Sequence, residues 1–524
     1  MRSKRRRNHS LYLLGIALSC LLTGGLRPAF SYPLLIAAVG DVHDAIKAGT
    51  RLARRGDLSG AEAVLKKASN DYPDNADVKT ELAYVLIKER RVREGYDLVF
   101  PIVKADPKDA HAFAVLGMAF LQAGRFADAQ LLFKNAILLN RREHLAWAGY
   151  GLVDFYENHI DEAVSSLGEA VYRGPDEPDY LFWLAQASSR AENYKEAADD
   201  YRRFLEISGP LDKDRRDRIK GLVEFLEYLG RTSKLYLHSG DDRTTVPIEL
   251  VGDRPVITVH INGRKEGLRF VLDTGSGISV MSAETAKRLH ISPVARGGSA
   301  RGIGGDGKFE IVYGMLQQID IGKVALRNVP VYLRPFQKGI EADGYIGLSL
   351  ISKYITTIDY GARTFALTRK DTDRQEFVSN DELALPLRLT SSGFLSGEVK
   401  LEGVDTPLNF IVDTGASISV ISNDLANSNA FIPFAHTEKL KVVGSAGVAE
   451  NVKTFRLPRV TFGKNSRNDI LAAALDLDVI NEASGFEQAG ILGGNFLKNY
   501  RLTFDFRNAK VIFVPLVQAP TPTP

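Results

Sequence analysis

Phe270-Val271-Leu272-Asp273-Thr274-Gly275-Ser276 decides the reading of this chain, because a near copy stands at Phe410-Ile411-Val412-Asp413-Thr414-Gly415-Ala416. The two aspartates are 140 residues apart (413 − 273), and Ile-Ser-Val follows each, at Ile278-Ser279-Val280 and Ile418-Ser419-Val420. An apolar run that ends in a carboxylate on a glycine turn reads as a buried strand delivering an acid. Its repetition implies that the two carboxylates are meant to meet.

The likeness extends on both sides. Upstream, Val256 to Ile261, the turn Asn262-Gly263 and Leu268 to Leu272 read as a hairpin. Its counterpart is Gly397 to Leu401, a turn near Gly403, and Leu408 to Val412. Downstream, Tyr345-Ile346-Gly347 precedes a short helical stretch, Ser349 to Tyr354, and a strand at Thr357-Ile358-Asp359-Tyr360. Ile491-Leu492-Gly493, Asn495 to Tyr500 and Thr503-Phe504-Asp505-Phe506 repeat that order. These are two copies of one module, at 245–367 and 392–516, with 368–391 as a polar linker.

Each module resembles a retropepsin-like aspartic protease lobe: apolar-apolar-Asp-Thr-Gly, a glycine-bearing flap, then apolar-apolar-Gly before a short helix and a last strand. The resemblance implies an all-β acid-protease fold in two tandem lobes and an aspartic endopeptidase acting on a protein or peptide. It implies a catalytic dyad of Asp273 and Asp413, with Thr274 and Thr414 hydrogen-bonded across the lobe interface. Gly275 and Gly415 would permit the turns. It places flaps at Gly302, Gly304 and Gly305 and at Gly444 and Gly447, with no flap tyrosine at a matching position. The chemistry suits paired acids. Two carboxylates at about 4 Å repel by roughly 4 kcal/mol at an effective dielectric near 20, about three pKa units. They therefore share one proton, and the pair works as base and acid on a water and a peptide carbonyl.

Gly302 to Gly307 also spells Gly-x-Gly-x-x-Gly. A dinucleotide loop should open a helix, whereas Lys308 to Tyr313 reads as a strand, so that use is rejected. There is no His-Glu-x-x-His and no Gly-x-Ser-x-Gly. Neither a metal nor a cofactor is expected.

Before the β modules, positions repeat every 34 residues: Leu58, Val92, Phe126, Ile160, Tyr194, and Ala61, Gly95, Ala129, Ala163, Ala197. Small residues recur in step at Gly49, Ala83, Gly117, Gly151 and Ala185, and Pro73, Pro107 and Pro175 keep the same spacing. Five helical hairpins follow from this, with small residues admitting close helix contact. Trp147, Tyr150 and Gly151 carry a resemblance to the tetratricopeptide repeat (TPR) in the fourth unit. The expectation is an all-α TPR solenoid over 41–235, capped by a helix from Asp212 to Gly230, offering a surface for a protein partner. The lesser alternative is a spacer or a packing partner for the next domain. His43, His111, His144 and His159 lack metal-ligand spacing and read as surface or helix-end residues.

Arg2, Lys4, Arg5, Arg6 and Arg7 precede an apolar run from Leu11 to Leu22, and Ala29-Phe30-Ser31 offers a cleavage site. Residues 1–31 read as a signal peptide, and the chain as exported to the periplasm or beyond. Membrane attachment would require that segment to stay uncleaved. Its removal takes six basic residues (the five and Arg27) and no acidic one, moving the formal net charge from +3 to −3. The basic balance is therefore no sign of a nucleic-acid partner. Cys20, the one cysteine, leaves with it. That excludes a disulfide and a thiol nucleophile from the mature chain. The tail 517–524 reads as disordered.

Two other readings stay open from sequence: a non-catalytic protein-binding scaffold, and a protease in which each lobe pairs with its like in a homodimer.

Overall fold

Helical periodicity and strand periodicity divide the chain where composition changes. A computed structural model describes residues 12–13, 41–232, 234–300, 302–303, 309–337, 339–371 and 384–516. Most of the expected signal peptide and the whole tail 517–524 lie outside the described residues, as do Gly304 and Gly305. Two compact units result, a helical one ending at Arg231, which also takes in Gly485–Glu487, and a β unit beginning at Thr232.

The helical unit is five antiparallel hairpins. Val42–Arg54 pairs with Leu58–Asp71, Ala76–Lys88 with Val92–Ala105, and Ala110–Gln122 with Phe126–Leu139. His144–Tyr156 pairs with Ile160–Arg173, and Pro178–Arg190 with Tyr194–Ile207. The 34-residue apolar series Leu58, Val92, Phe126, Ile160 and Tyr194 opens the second helix of every hairpin. The small residues do what their spacing implies. A Cβ on Gly49 would lie 2.5 Å from Leu65, and one on Gly117 2.6 Å from Phe133, so the paired helices touch where no side chain intervenes. Lys213–Arg231 closes the array as the expected last helix.

The array also ties its ends together, which repeat spacing does not imply. Arg54 donates to Glu177 at 2.6 Å, linking the first hairpin to the start of the fifth. Buried Asp179 accepts ion pairs from Lys88 (2.8 Å) and Arg215 (2.7 Å), joining the second hairpin, the fifth and the final helix. The histidines His43, His111, His144 and His159 sit at helix starts, as expected. His111 bridges Glu81 (3.1 Å) and Glu143 (3.2 Å) across three successive hairpins.

In the β unit each lobe folds its own sheet by one plan. In lobe 1, strand Gly344–Ile346 lies between Leu268–Leu272, which it parallels, and Ser279–Ser282, which it opposes. In lobe 2, Gly490–Leu492 lies in the same way between Leu408–Val412 and Ser419–Ser422. The segment after each aspartate must therefore arch over the central strand. Glycine at the first position of that central strand is forced, since a Cβ on Gly344 would come within 2.3 Å of the Phe270 ring and one on Gly490 within 2.2 Å of Phe410. A further six-stranded sheet joins the lobes, three strands from the second half followed by three from the first, in the order 384–386, 510–515, 500–505, 354–359, 364–369, 243–247.

Four expectations of extent are corrected. Leu237–Gly240, ahead of the expected module start at 245, pairs antiparallel with the strand Val324–Arg334. The segment 368–391 contains Ala384–Pro386, which pairs with Lys510–Pro515, and Arg388–Leu389. In the first hairpin Asn262 and Gly263 take the positive φ of a turn (52° and 71°). However, His260 and Ile261 pair with Asp320 and Ile319 instead of with the returning strand, whose register closes at Val259 and Leu268. The short helices span Leu348–Ile351 and Gly494–Leu497, each opening before the stretch expected from sequence. Among the described residues, no helix is long and apolar enough to cross a membrane.

Candidate active site

Both Asp-Thr-Gly turns are buried at the junction of the lobes, and Asp273, Thr274, Asp413 and Thr414 are all 0% exposed. Each aspartate is held by its central strand, with Asp273 N donating to Ile346 O and Asp413 N to Leu492 O, both at 2.9 Å.

The threonines interlock. Thr274 Oγ1 donates to Val412 O (2.6 Å) and accepts from Thr414 N (3.1 Å). Thr414 Oγ1 donates to Leu272 O (2.7 Å) and accepts from Thr274 N (3.2 Å). Each hydroxyl thus binds the carbonyl just before the other lobe's aspartate. Four buried backbone groups would otherwise lack partners.

The turn amides face the acids. Gly275 N donates to Asp273 Oδ1 at 3.0 Å, and Gly415 N (2.7 Å) and Ala416 N (3.2 Å) donate to Asp413 Oδ1. The reason for glycine is not the one expected from turn chemistry. Neither Gly275 nor Gly415 takes a positive φ. Instead a Cβ on Gly275 would stand 2.5–2.7 Å from the Asp413 carboxyl atoms, so Gly275 leaves room for the opposite acid.

The two carboxyl groups adjoin each other, and a hydrogen bond between them needs one member protonated. Burial pushes Asp413 up to about 6, against the hydrogen bonds from Asp273 and from the amides of Gly415, Ala416 and Gly275, which favour its charged form. Protonation of one member is the physical consequence of two acids in contact and out of water.

Behind each turn the short helix is strapped on. Leu348 N donates to Ser276 O (2.8 Å) and Gly494 N to Ala416 O (2.7 Å). Ser279 and Ser419 hydroxyls accept from Gly347 N and Gly493 N, both at 3.1 Å.

Two hairpins reach the site. Pro293–Ala300 and Phe309–Ile321 pair up to Ala300 and Phe309, which puts Gly302 at the first tip and makes the stretch after Gly307 a strand, as the rejection of a dinucleotide loop required. Ala435–Val443 and Val448–Phe462 close on the turn 444–447, where Gly444 N donates to Gly447 O at 2.8 Å. The tips touch: Ala446 N donates to Ile303 O at 3.2 Å, and Ile303 is 4% exposed.

Three residues at the dyad were not singled out from sequence. Arg254, Arg334 and Tyr345 are buried and act electrostatically on Asp273, with Arg254 and Tyr345 acting also on Asp413. Burial lowers both arginines and raises the tyrosine. In a single strand they read as edge residues. A comparison of the two copies at equal offsets from their aspartates was the signal available. Among the described residues no group of acids, histidines or cysteines is arranged to hold a metal.

Comparisons with known proteins agree with this division. A family model for aspartyl protease matches residues 257–350 and 397–496, and two tetratricopeptide repeat models match 52–119 and 151–212. No curated protein matches the chain. Similar solved structures are TPR proteins. A thermophilic TPR protein of Thermus thermophilus is 24% identical over 34% of this chain and 95% of its own, with a TM-score of 0.29. PilF of Pseudomonas aeruginosa is 18% identical over 36% and 85%, with a TM-score of 0.27. The chain therefore carries an aspartyl protease domain in two tandem segments, set after tetratricopeptide repeats.

Proposed function

We propose that the β unit hydrolyses peptide bonds as an aspartic endopeptidase, with one active site built from both lobes of a single chain. The observation that carries this reading is the mutual contact of Asp273 and Asp413, fully buried between interlocked threonines. In the working state the dyad holds one proton. The ionised carboxylate takes a proton from an attacking water, and the protonated one donates to the peptide carbonyl oxygen. Turn amides hold each carboxyl group in place, which keeps the acid and base within reach of one reacting centre.

Because the dyad is sealed beneath touching flap tips, substrate entry requires the hairpins to part. The TPR array contributes protein binding, holding a substrate or a partner protein. The chain works after export, in the periplasm or outside the cell, once the segment 1–31 has directed it there.

Incubation of the purified protein with a peptide library over acidic and neutral pH, with and without a pepstatin-like inhibitor, is the test. Cleavage that disappears in both Asp273→Asn and Asp413→Asn supports the reading. A library left intact under every condition would leave the scaffold reading standing in its place.

A further inference from the structure

The two lobes are alike in backbone, yet they differ at three equivalent positions around the dyad. Arg254 stands 19 residues before Asp273, and Phe394 stands 19 before Asp413. Arg334 pairs with Ser282 and Leu475 with Ser422, each serine nine residues past its aspartate. Tyr345 and Ile491 each stand two before the matching glycines Gly347 and Gly493. Lobe 1 thus brings two guanidiniums and a phenol where lobe 2 brings Phe394, Leu475 and Ile491. The latter three join one apolar cluster with Ile303 of the first flap.

Arg254 and Arg334 are 3% and 6% exposed. Arg254 Nε donates to Val251 O at 3.2 Å and its guanidinium hydrogen-bonds Tyr345, but its Nη1 is buried without a hydrogen-bond partner. Arg334 Nη2 donates to Ser445 O of the second flap at 2.9 Å, which places this cation under the flap. A cation needed only to balance the dyad would not leave a buried donor unmade, because an unmet buried N–H carries a large desolvation penalty. A donor held open beside the reacting centre is what an incoming acceptor requires.

We propose that Arg254, Arg334 and Tyr345 form a carboxylate-binding subsite beside the scissile bond, so that cleavage falls between an acidic residue held by lobe 1 and an apolar residue held by lobe 2. This rests on the peptidase reading. The planar guanidinium fork suits a carboxylate through paired, charge-assisted hydrogen bonds. The phenol adds a neutral donor. A carboxylate reaches this subsite either from an aspartate or glutamate side chain or from a peptide C-terminus, and both sources share the chemistry.

The experiment uses the full chain and matched peptides in which Glu, Gln or Leu flanks an apolar residue, each with a free or an amidated C-terminus. The expected result is a kcat/KM for Glu over Gln of about 10- to 100-fold, the size of one charged hydrogen bond. In Arg254→Leu and Arg334→Leu that ratio, taken within each variant, falls toward one whatever the overall rate. Arg254→Lys, which keeps the charge without the fork, gives an intermediate ratio and carries the test if the leucine variant fails to fold. Free-acid peptides cleaved faster than amidated ones, whether Glu, Gln or Leu flanks the apolar residue, identify the terminal carboxylate as the ligand. A preference that survives amidation identifies the side chain. Wild-type cleavage that is indifferent to Glu, Gln and the terminus overturns the subsite and leaves the peptidase reading intact. Wild type that cleaves no peptide overturns both.

Discussion

Asp413 has ionisation properties that make two separate predictions. Its carboxyl is pushed up to about 6 by burial, so it keeps a proton well above the pH at which an exposed aspartate loses one. Loss of that proton leaves two adjacent negative charges and no acid to protonate the peptide oxygen. Activity is therefore expected to fall as pH rises through about 6, measured as kcat/KM on one peptide. Asp273→Asn and Asp413→Asn should each cost about 100- to 10,000-fold or more in kcat, the range of a lost general acid or base. Stability follows the same ionisation in the same direction. A carboxyl whose folded pKa exceeds its ordinary 3.8 favours the fold below 3.8 and loses that contribution as pH rises through about 6. Asp413→Asn should then be more stable than wild type at neutral pH, by up to about 3 kcal/mol, and gain nothing at pH below that of an ordinary aspartate. Denaturant midpoints at the two pH values check this. A variant equally stable at both would show that Asp413 carries no buried charge.

Elements succeed or fail here according to whether their partner is near in sequence. Each of the two Asp-Thr-Gly strands, the helices at 34-residue spacing and the final strands were legible because their signal is local periodicity. The strands 237–240 and 384–386 were not, since they are short and their partners lie some 85 and 125 residues away. The site was legible as far as its dyad and threonines. The glycine at 275 was expected for the turn, whereas it makes room for the opposing carboxylate. The threonine interlock makes a prediction at this scale. Thr274→Val keeps the shape and removes the hydroxyl, leaving Val412 O and Thr414 N unmet in a buried junction. The expected loss is about 2–4 kcal/mol in unfolding free energy, with activity reduced because the lobes no longer hold the acids in register. In the helical unit, Asp179 stands between Lys88 and Arg215, and both cations hold its carboxyl well below the usual carboxylate range, outweighing the effect of burial. Asp179→Ala strands Lys88 and leaves Arg215 with Asp212 alone, and about 3 kcal/mol of destabilisation is expected from a broken buried network. Thermal unfolding of the two variants, read by circular dichroism, separates the helical transition from the β transition.

At the scale of the whole β unit, the question is whether one chain is enough. The six-stranded sheet threads both lobes, with Thr356 opposite Phe504 and Asp359 opposite Arg501. The start of lobe 1 and the end of lobe 2 lie in the same sheet, through 243–247 and 510–515. Pairing each lobe with its like in a second chain would require breaking this ladder and the four threonine hydrogen bonds that cross the junction. Backbone ladders of this length are lost only cooperatively, so exchange of lobes between folded chains is disfavoured. Two outcomes follow for a monomeric site. Specific activity stays constant on dilution, and Asp273→Asn alone removes all of it, because no second site exists. A like-lobe dimer behaves oppositely on both counts. Its activity falls on dilution, and Asp273→Asn retains the site made by two copies of Asp413. Progress curves over a dilution series, with light scattering to report mass at each concentration, distinguish the two. Residual activity near half in the Asp273→Asn protein would overturn the single-chain site even if the wild type proved monomeric at rest.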